Sequence, residues 1–436
     1  MQYARWTTKE ELKENLIPIK KGERPNQVGI PLMYEENTVY IDKNRNHTLL
    51  IGSTGSGKTQ STILPMLNLS IEASESFLTI DPKGELYKIL GNKLEQQGYQ
   101  TTIIDFDDST LGNNWNPLSL PYQVYKDGQK DKAQEMIEEV GYYLFSDKPS
   151  ANIDPFWSNT TISYFTGLVL YLFEHKKEEI NIKDIVDLST SLNRKGQSDE
   201  LLNKLDPYSP IYLALSTTLL APPETRGSIL SVFQQKIFPY ISKENLSSLL
   251  SKSDRTFKEI VHENSAIFMI TGSNELATKL IPMYIGQLIK SKELYDVEKK
   301  QFNMVLDEFG LMAKLKNFAT VIGQARSINI QITAAVQNFM QLVNVYGKED
   351  TEILKLCFSN ILYLYSNDIY TLEEISKTCG EVSKDIPLIT IEELKMMNQF
   401  EAIIILPRMY PARTKLIPFY KLERKQEETK EIPSRI

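Results

Sequence analysis

The chain has 436 residues, 41% of them apolar, which is enough to bury a sizeable core and excludes a disordered chain. Its 49 basic and 56 acidic side chains give a net charge of -7, which excludes indiscriminate coating of nucleic acid but leaves room for local basic surface. Two cysteines, Cys357 and Cys379, are too few for a disulfide framework and predict a reducing cytoplasm; with three histidines at unrelated spacing they offer no zinc site.

Residues 1–22 are rich in Lys and Glu, unlike a signal peptide or a membrane anchor. The most apolar run, 165–173, falls far short of the about 20 residues that span a bilayer. Residues 1–45 read as a polar lead-in with an edge hairpin over 29–42. Strands and helices then alternate: strand 47–51, helix 60–73, strand 76–81, helix 85–97 and strand 100–106. That order predicts a parallel sheet. Strand signals vanish over 121–259, where helical segments are expected at 131–145, 155–175, 182–192, 199–205, 210–220 and 224–240. Alternation resumes with strand 266–270, helix 275–295, strand 302–307, helix 313–326, strand 329–335, helix 338–346, strand 360–365, helix 370–380 and strand 401–406. The expected organisation is therefore an α/β sheet domain, 46–120 and 260–420, carrying an inserted all-α domain, 121–259. The charged tail 421–436 lacks an apolar stripe and is expected to be disordered.

Between the first strand and helix lies Gly52-Ser53-Thr54-Gly55-Ser56-Gly57-Lys58-Thr59, the spacing of a phosphate-binding P-loop. Its glycines let backbone N–H groups turn inward onto phosphate oxygens, and the following helix adds its positive end. Lys58 would reach the β- and γ-phosphates and the Thr59 hydroxyl a Mg²⁺ ion, so ATP with Mg²⁺ is the expected ligand. Such a site needs carboxylates at a strand end facing the loop, and Met304-Val-Leu-Asp307-Glu308 supplies two. Asp307 would hold Mg²⁺ through its water shell, and Glu308 would act as general base on the attacking water. Without the P-loop, the same pair would read as a helix cap. Arg326, nineteen positions after Asp307, suits an arginine finger acting in trans or, more plainly, a solvated residue favoured by a helix C-terminus. Gln337, at the end of the strand 330–336, suits a γ-phosphate sensor or a polar helix start.

Several further motifs occur in one order: Asp81-Pro-Lys-Gly-Glu85, Trp115-Asn-Pro-Leu118, Asp154-Pro-Phe-Trp157, Thr225-Arg-Gly-Ser-Ile229, Asp307-Glu-Phe-Gly310, Ala325-Arg-Ser327 and Val336-Gln-Asn338. Together with the P-loop they resemble the conjugative coupling proteins of type IV secretion, the TraG/TraD-type branch of the FtsK/HerA-like translocases, over about 47–410. The resemblance implies a RecA-like P-loop domain with an inserted all-α domain, assembled as a hexameric ring whose channel admits DNA. It assigns Arg326 and Gln337 as finger and sensor. It also implies an ATPase that receives a relaxase–DNA complex and feeds single-stranded DNA into a membrane-embedded channel from the cytoplasmic face. Members usually carry two transmembrane helices before the P-loop; here a polar lead-in stands there, so the expectation is either an anchorless form recruited by a separate membrane protein or a shortened chain. Competing expectations are a HerA/FtsK-type pump on duplex DNA and a nucleotide-gated docking scaffold with little turnover.

Overall fold

The short apolar runs of the sheet domain are too short for buried helices and rich in Ile, Leu, Val and Phe, so each can satisfy its backbone only by pairing with a neighbour. The computed structural model describes residues 3–146, 154–176 and 178–422. In chain order its strands are β1 Leu16–Lys20, β2 Pro31–Glu35, β3 Thr38–Asp42, β4 Thr48–Gly52, β5 Ser76–Ile80, β6 Gln100–Asp105, β7 Ser265–Ile270, β8 Phe302–Leu306, β9 Ile330–Val336, β10 Asn360–Tyr365, β11 Glu381–Ser383, β12 Ile386–Pro387, β13 Glu401–Ile405 and β14 Ala412–Lys415. By contact density the chain divides into two units, one of residues 1–101, 263–268 and 297–436, the other of residues 102–262 and 269–296.

In the first unit the sheet runs in the order β14-β13-β10-β4-β9-β8-β5-β7. The pairs β10–β4, β4–β9, β9–β8 and β8–β5 are parallel, whereas β13 pairs antiparallel with both β10 and β14. Strands β4, β5, β8 and β9 are buried along their whole length, as expected of a parallel sheet covered on both faces. The polar lead-in is more ordered than its composition suggests. Lys9–Glu14 forms a helix with a Thr8 and Glu11 capping box, and β1, β3 and β2 form an antiparallel sheet that includes the expected hairpin. The buried Glu75 carboxylate ties this region to the sheet, accepting from Val28 N, Arg45 Nη2 and Asn303 Nδ2 at 3.3, 2.7 and 2.9 Å. Strand β14 went unread in the sequence because Ala-Arg-Thr-Lys lacks an apolar signal; it is held as an edge by pairing with β13.

The second unit begins at Thr102, within β6, and is built mainly from helices. They are Ser119–Lys126, Lys130–Phe145, Pro155–His175, Ile182–Leu192, Gln197–Lys204, Pro210–Leu219, Pro223–Ser242, Glu244–Leu249 and Phe257–His262. Each helix expected from periodicity is present within a few residues of its anticipated ends. The helix Ala277–Tyr295 differs in allegiance: strand alternation grouped it with the sheet domain, but it belongs to the helical unit. The reason is packing. Tyr284 on this helix meets Trp115 edge to face at 5.1 Å and Phe257 at 4.9 Å, and Gln287 accepts from the Trp115 indole N–H at 3.2 Å.

That arrangement gives the Trp115-Asn-Pro-Leu118 motif a structural meaning. Asn116 is fully buried, donates to Ile180 O at 2.7 Å and accepts from Leu118 N at 3.0 Å. Replacing Trp115 by Ala removes a 3% exposed indole with its ring contact and hydrogen bond. Loss of about 3–5 kcal/mol from the helical unit is expected, read as an early urea transition in helical circular dichroism. Arg226 in the Thr225–Ile229 motif is likewise a tether, donating to Leu219 O and Ser198 Oγ at 3.4 and 3.3 Å. The expected disordered tail lies, beyond residue 422, outside the described residues. No helix among the described residues is long and apolar enough to cross a membrane.

Candidate nucleotide site

Parallel strands deliver their C-terminal ends to one edge of a sheet, and the loops there are free to meet a ligand. At that edge β4 runs into the P-loop. Gly55 and Gly57 take φ of +81° and +95°, the left-handed region that glycine enters at little cost. The chain continues as a π-helical turn, Thr59–Ile63, and then the helix Leu64–Ala73. A π turn widens the helix start and is found often at functional sites.

Lys58 is 8% exposed, and its ammonium donates to Gly52 O at 2.5 Å and Ser53 O at 3.4 Å. Burial lowers its pKa, opposed by the nearby carboxylates of Asp307 and Glu308. Asp307, directly after β8, is 7% exposed, and its Oδ1 accepts from Glu308 N at 3.0 Å. Burial raises its pKa to about 6; Lys58 pulls the other way, and Glu308 and Asp81 add repulsion. Glu308 sits in the left-handed region, φ 57° and ψ 30°, a conformation that non-glycine residues hold mainly where surroundings impose it. Phe309 explains what imposes it: the ring is buried against Phe318 at 5.0 Å and Tyr346 at 5.9 Å, so the chain must turn sharply after Asp307.

Strand β9 lies between β4 and β8, and Gln337 follows it at the same edge. Its Nε2 donates to Glu308 Oε2 at 3.4 Å, and its backbone N–H donates to Gln341 Oε1 at 3.0 Å. Gln341 also closes on Gly310, where a Cβ would lie 2.7 Å from Gln341 Cβ. The structure thus gathers Lys58, Asp307, Glu308 and Gln337 within one unit. Arg326 stands apart. It ends the helix Phe318–Ala325, before β9 begins, and donates to Asn44 O at 3.2 Å. The seven residues of β9 put it about 20 Å from Gln337, so it does not reach the site of its own chain.

Two residues escaped the sequence reading. Asp81 belongs to a recognised motif, but spacing alone does not reveal that β5 and β8 are neighbours. Their register pairs Thr79 with Val305, which carries Asp81 alongside Asp307. Asp81 is 1% exposed; burial raises its pKa, and its carboxylate accepts from Tyr87 N at 3.0 Å. Gln341 had no signal beyond its place three residues after the helix cap Asn338.

The residues suit a magnesium nucleotide. Ser56 Oγ and Gln60 Oε1, on either side of Lys58 and Thr59, are buried without hydrogen-bond partners. A hydroxyl at Thr59 and a carboxylate at Asp307 are the hard oxygen donors that Mg²⁺ prefers.

A parallel sheet with a glycine loop on one strand and an acidic pair and an amide on the next strands defines a RecA-like P-loop NTPase fold with a helical second unit. The chain belongs to the family described as type IV secretory system conjugative DNA transfer, whose model matches residues 5–386. It is similar to the type IV secretion system-coupling protein VirD4 of Bartonella henselae, with 20% identity over 360 residues, 80% of this chain. The matched stretch spans 55% of that relative's length. The fold resembles the plasmid coupling protein TrwB in complex with ADP and Mg²⁺, with a TM-score of 0.72, 15% identity, and 96% of this chain and 94% of that one covered. It also resembles VirB4 of Thermoanaerobacter pseudethanolicus, with a TM-score of 0.59, 12% identity, and 89% and 96% covered.

Proposed function

We propose that this chain is the ATP-hydrolysing coupling protein of a conjugative type IV secretion system. In this reading it receives a relaxase–DNA complex at the cytoplasmic face of the membrane and helps drive single-stranded DNA into the transfer channel. The observation that carries it is the convergence of the P-loop, Asp307, Glu308 and Gln337 at one sheet edge in a member of the conjugative transfer family. The P-loop residues 52–59 would hold the phosphates, Lys58 would leave its loop carbonyls for the β- and γ-oxygens, and Thr59 directly and Asp307 through the water shell would hold Mg²⁺, which would offset phosphate charge. Glu308 takes the proton of the attacking water, and Gln337, tied to Glu308, registers whether the γ-phosphate is present. Arg326 completes the site of a neighbouring subunit in a hexameric ring, because its own site is out of reach. DNA contacts fall mainly on phosphates and are salt-dependent and sequence-tolerant. Membrane-embedded channel proteins hold the ring in place.

The test is hydrolysis of ATP with and without single-stranded DNA by the wild type and Lys58→Ala, with sedimentation to follow assembly. Turnover stimulated by single strands and lost in Lys58→Ala supports the proposal. Stimulation by duplex alone favours a duplex pump, and tight ATP binding without turnover, even with membrane partners added, favours a docking scaffold.

A further inference from the structure

The P-loop has a second flank, and an aromatic residue occupies it. Strand β13 runs antiparallel to β10, with Ile361 opposite Ile405, so it begins at the edge where the parallel strands end. The segment just before it, 396–400, is therefore delivered to the P-loop. Phe400 is half-buried and holds φ at +68°, which an aromatic residue adopts rarely. A Cβ on Gly57 would lie 2.7 Å from Phe400 Cε1 and 2.9 Å from Cδ1, so the ring rests on the P-loop glycine. Gln399 Nε2 donates to Gly55 O at 3.5 Å. The segment is held within its own unit: Asn398 N and Arg413 Nη2 donate to the Glu401 carboxylate at 2.9 and 3.2 Å, and Leu416 N donates to Phe400 O at 2.8 Å.

Strand order gives this position its direction. Asp307, Glu308 and Gln337 mark the γ-phosphate side and stand on β8 and β9, to one side of β4. Phe400 stands on the other side, beyond β10. A nucleotide laid along the P-loop with its γ-phosphate at Glu308 carries its nucleoside toward Phe400. We infer that Phe400 is a nucleoside-binding residue, its ring packing against the base or ribose while Gln399 steadies the loop. This rests on the nucleotide reading above and extends it to the half of the ligand that the P-loop does not touch. Stacking of this kind tolerates any base, so ATP and GTP depend on Phe400 alike.

Isothermal titration with MgATP and with magnesium tripolyphosphate, which has the phosphates and no nucleoside, tests it on the wild type, Phe400→Leu and Phe400→Trp. Phe400→Leu keeps bulk over Gly57 and removes the ring face. It should raise the Kd for MgATP roughly tenfold and leave tripolyphosphate within about twofold, while Phe400→Trp retains MgATP affinity. Equal weakening toward both ligands means that the ring only shapes the P-loop, and unchanged MgATP affinity means that it does not contact the nucleoside; either overturns the inference. A wild type that binds neither ligand overturns the nucleotide reading itself.

Discussion

Glu308→Gln is expected to bind MgATP as tightly as the wild type or more tightly, while its kcat falls by about 10²–10⁴-fold, the usual share of a general base. The carboxamide fills the same space and can still accept from Gln337 Nε2, which donates to Glu308 Oε2 at 3.4 Å. It cannot take a proton from water. It also removes a negative charge from the γ-phosphate side, so binding does not suffer. Titration calorimetry and steady-state hydrolysis separate the two quantities. A variant retaining at least about a tenth of wild-type turnover would move the base role elsewhere, and Asp81, which faces Asp307 across the β5–β8 register, is the next carboxylate in line. The same variant tests Arg326. Arg326→Ala and Glu308→Gln subunits are each expected to be inactive alone, and mixing them should restore turnover, because the intact Glu308 of one then meets the intact Arg326 of the other. No recovery on mixing would refute a finger supplied in trans.

Asp307→Asn should have opposite effects on stability and activity. Burial lifts the Asp307 pKa to about 6, above the ordinary carboxylate range. A group with a raised folded-state pKa favours the folded state when protonated, so its contribution is lost as pH rises from about 4 to about 6. Above that window the ionised, buried carboxylate costs the metal-free, nucleotide-free protein up to about 3 kcal/mol, partly offset already by Lys58. The Asn variant should therefore be more stable than the wild type by about 1–3 kcal/mol at pH 7.5 in EDTA, with a smaller gap at pH 5. Hydrolysis should be abolished at both, since a neutral amide anchors the water shell of Mg²⁺ far more weakly than a carboxylate does. Equal denaturation midpoints at pH 7.5 would show that the carboxylate is better solvated than its burial implies. The outcome expected is a stability sacrifice at a functional site.

Much of this molecule was legible without coordinates because its signals are local. A P-loop is eight consecutive residues whose glycines answer to backbone geometry, and each buried strand is a short apolar run set off by turn residues. Asp307 and Glu308 were readable for the same reason: they end such a run. The helices of the inserted region carry their caps and periodicity in sequence, as with Asn181 and Asp184 at Ile182–Leu192. What these signals lack is lateral order. Nothing in residues 76–81 or 302–307 says that β5 and β8 pair, so Asp81 could not be placed beside Asp307. Nothing in 401–406 says that this strand runs antiparallel and returns Phe400 to the P-loop. Nor could the helix Ala277–Tyr295 be given to the helical unit before Tyr284 was seen against Trp115. Sequence alone determined the elements and the residue types that carry phosphate chemistry, because both depend on neighbours along the chain. Tertiary structure decided which strand ends meet and which ring covers Gly57, because those depend on hydrogen-bond pairing between segments far apart in the chain.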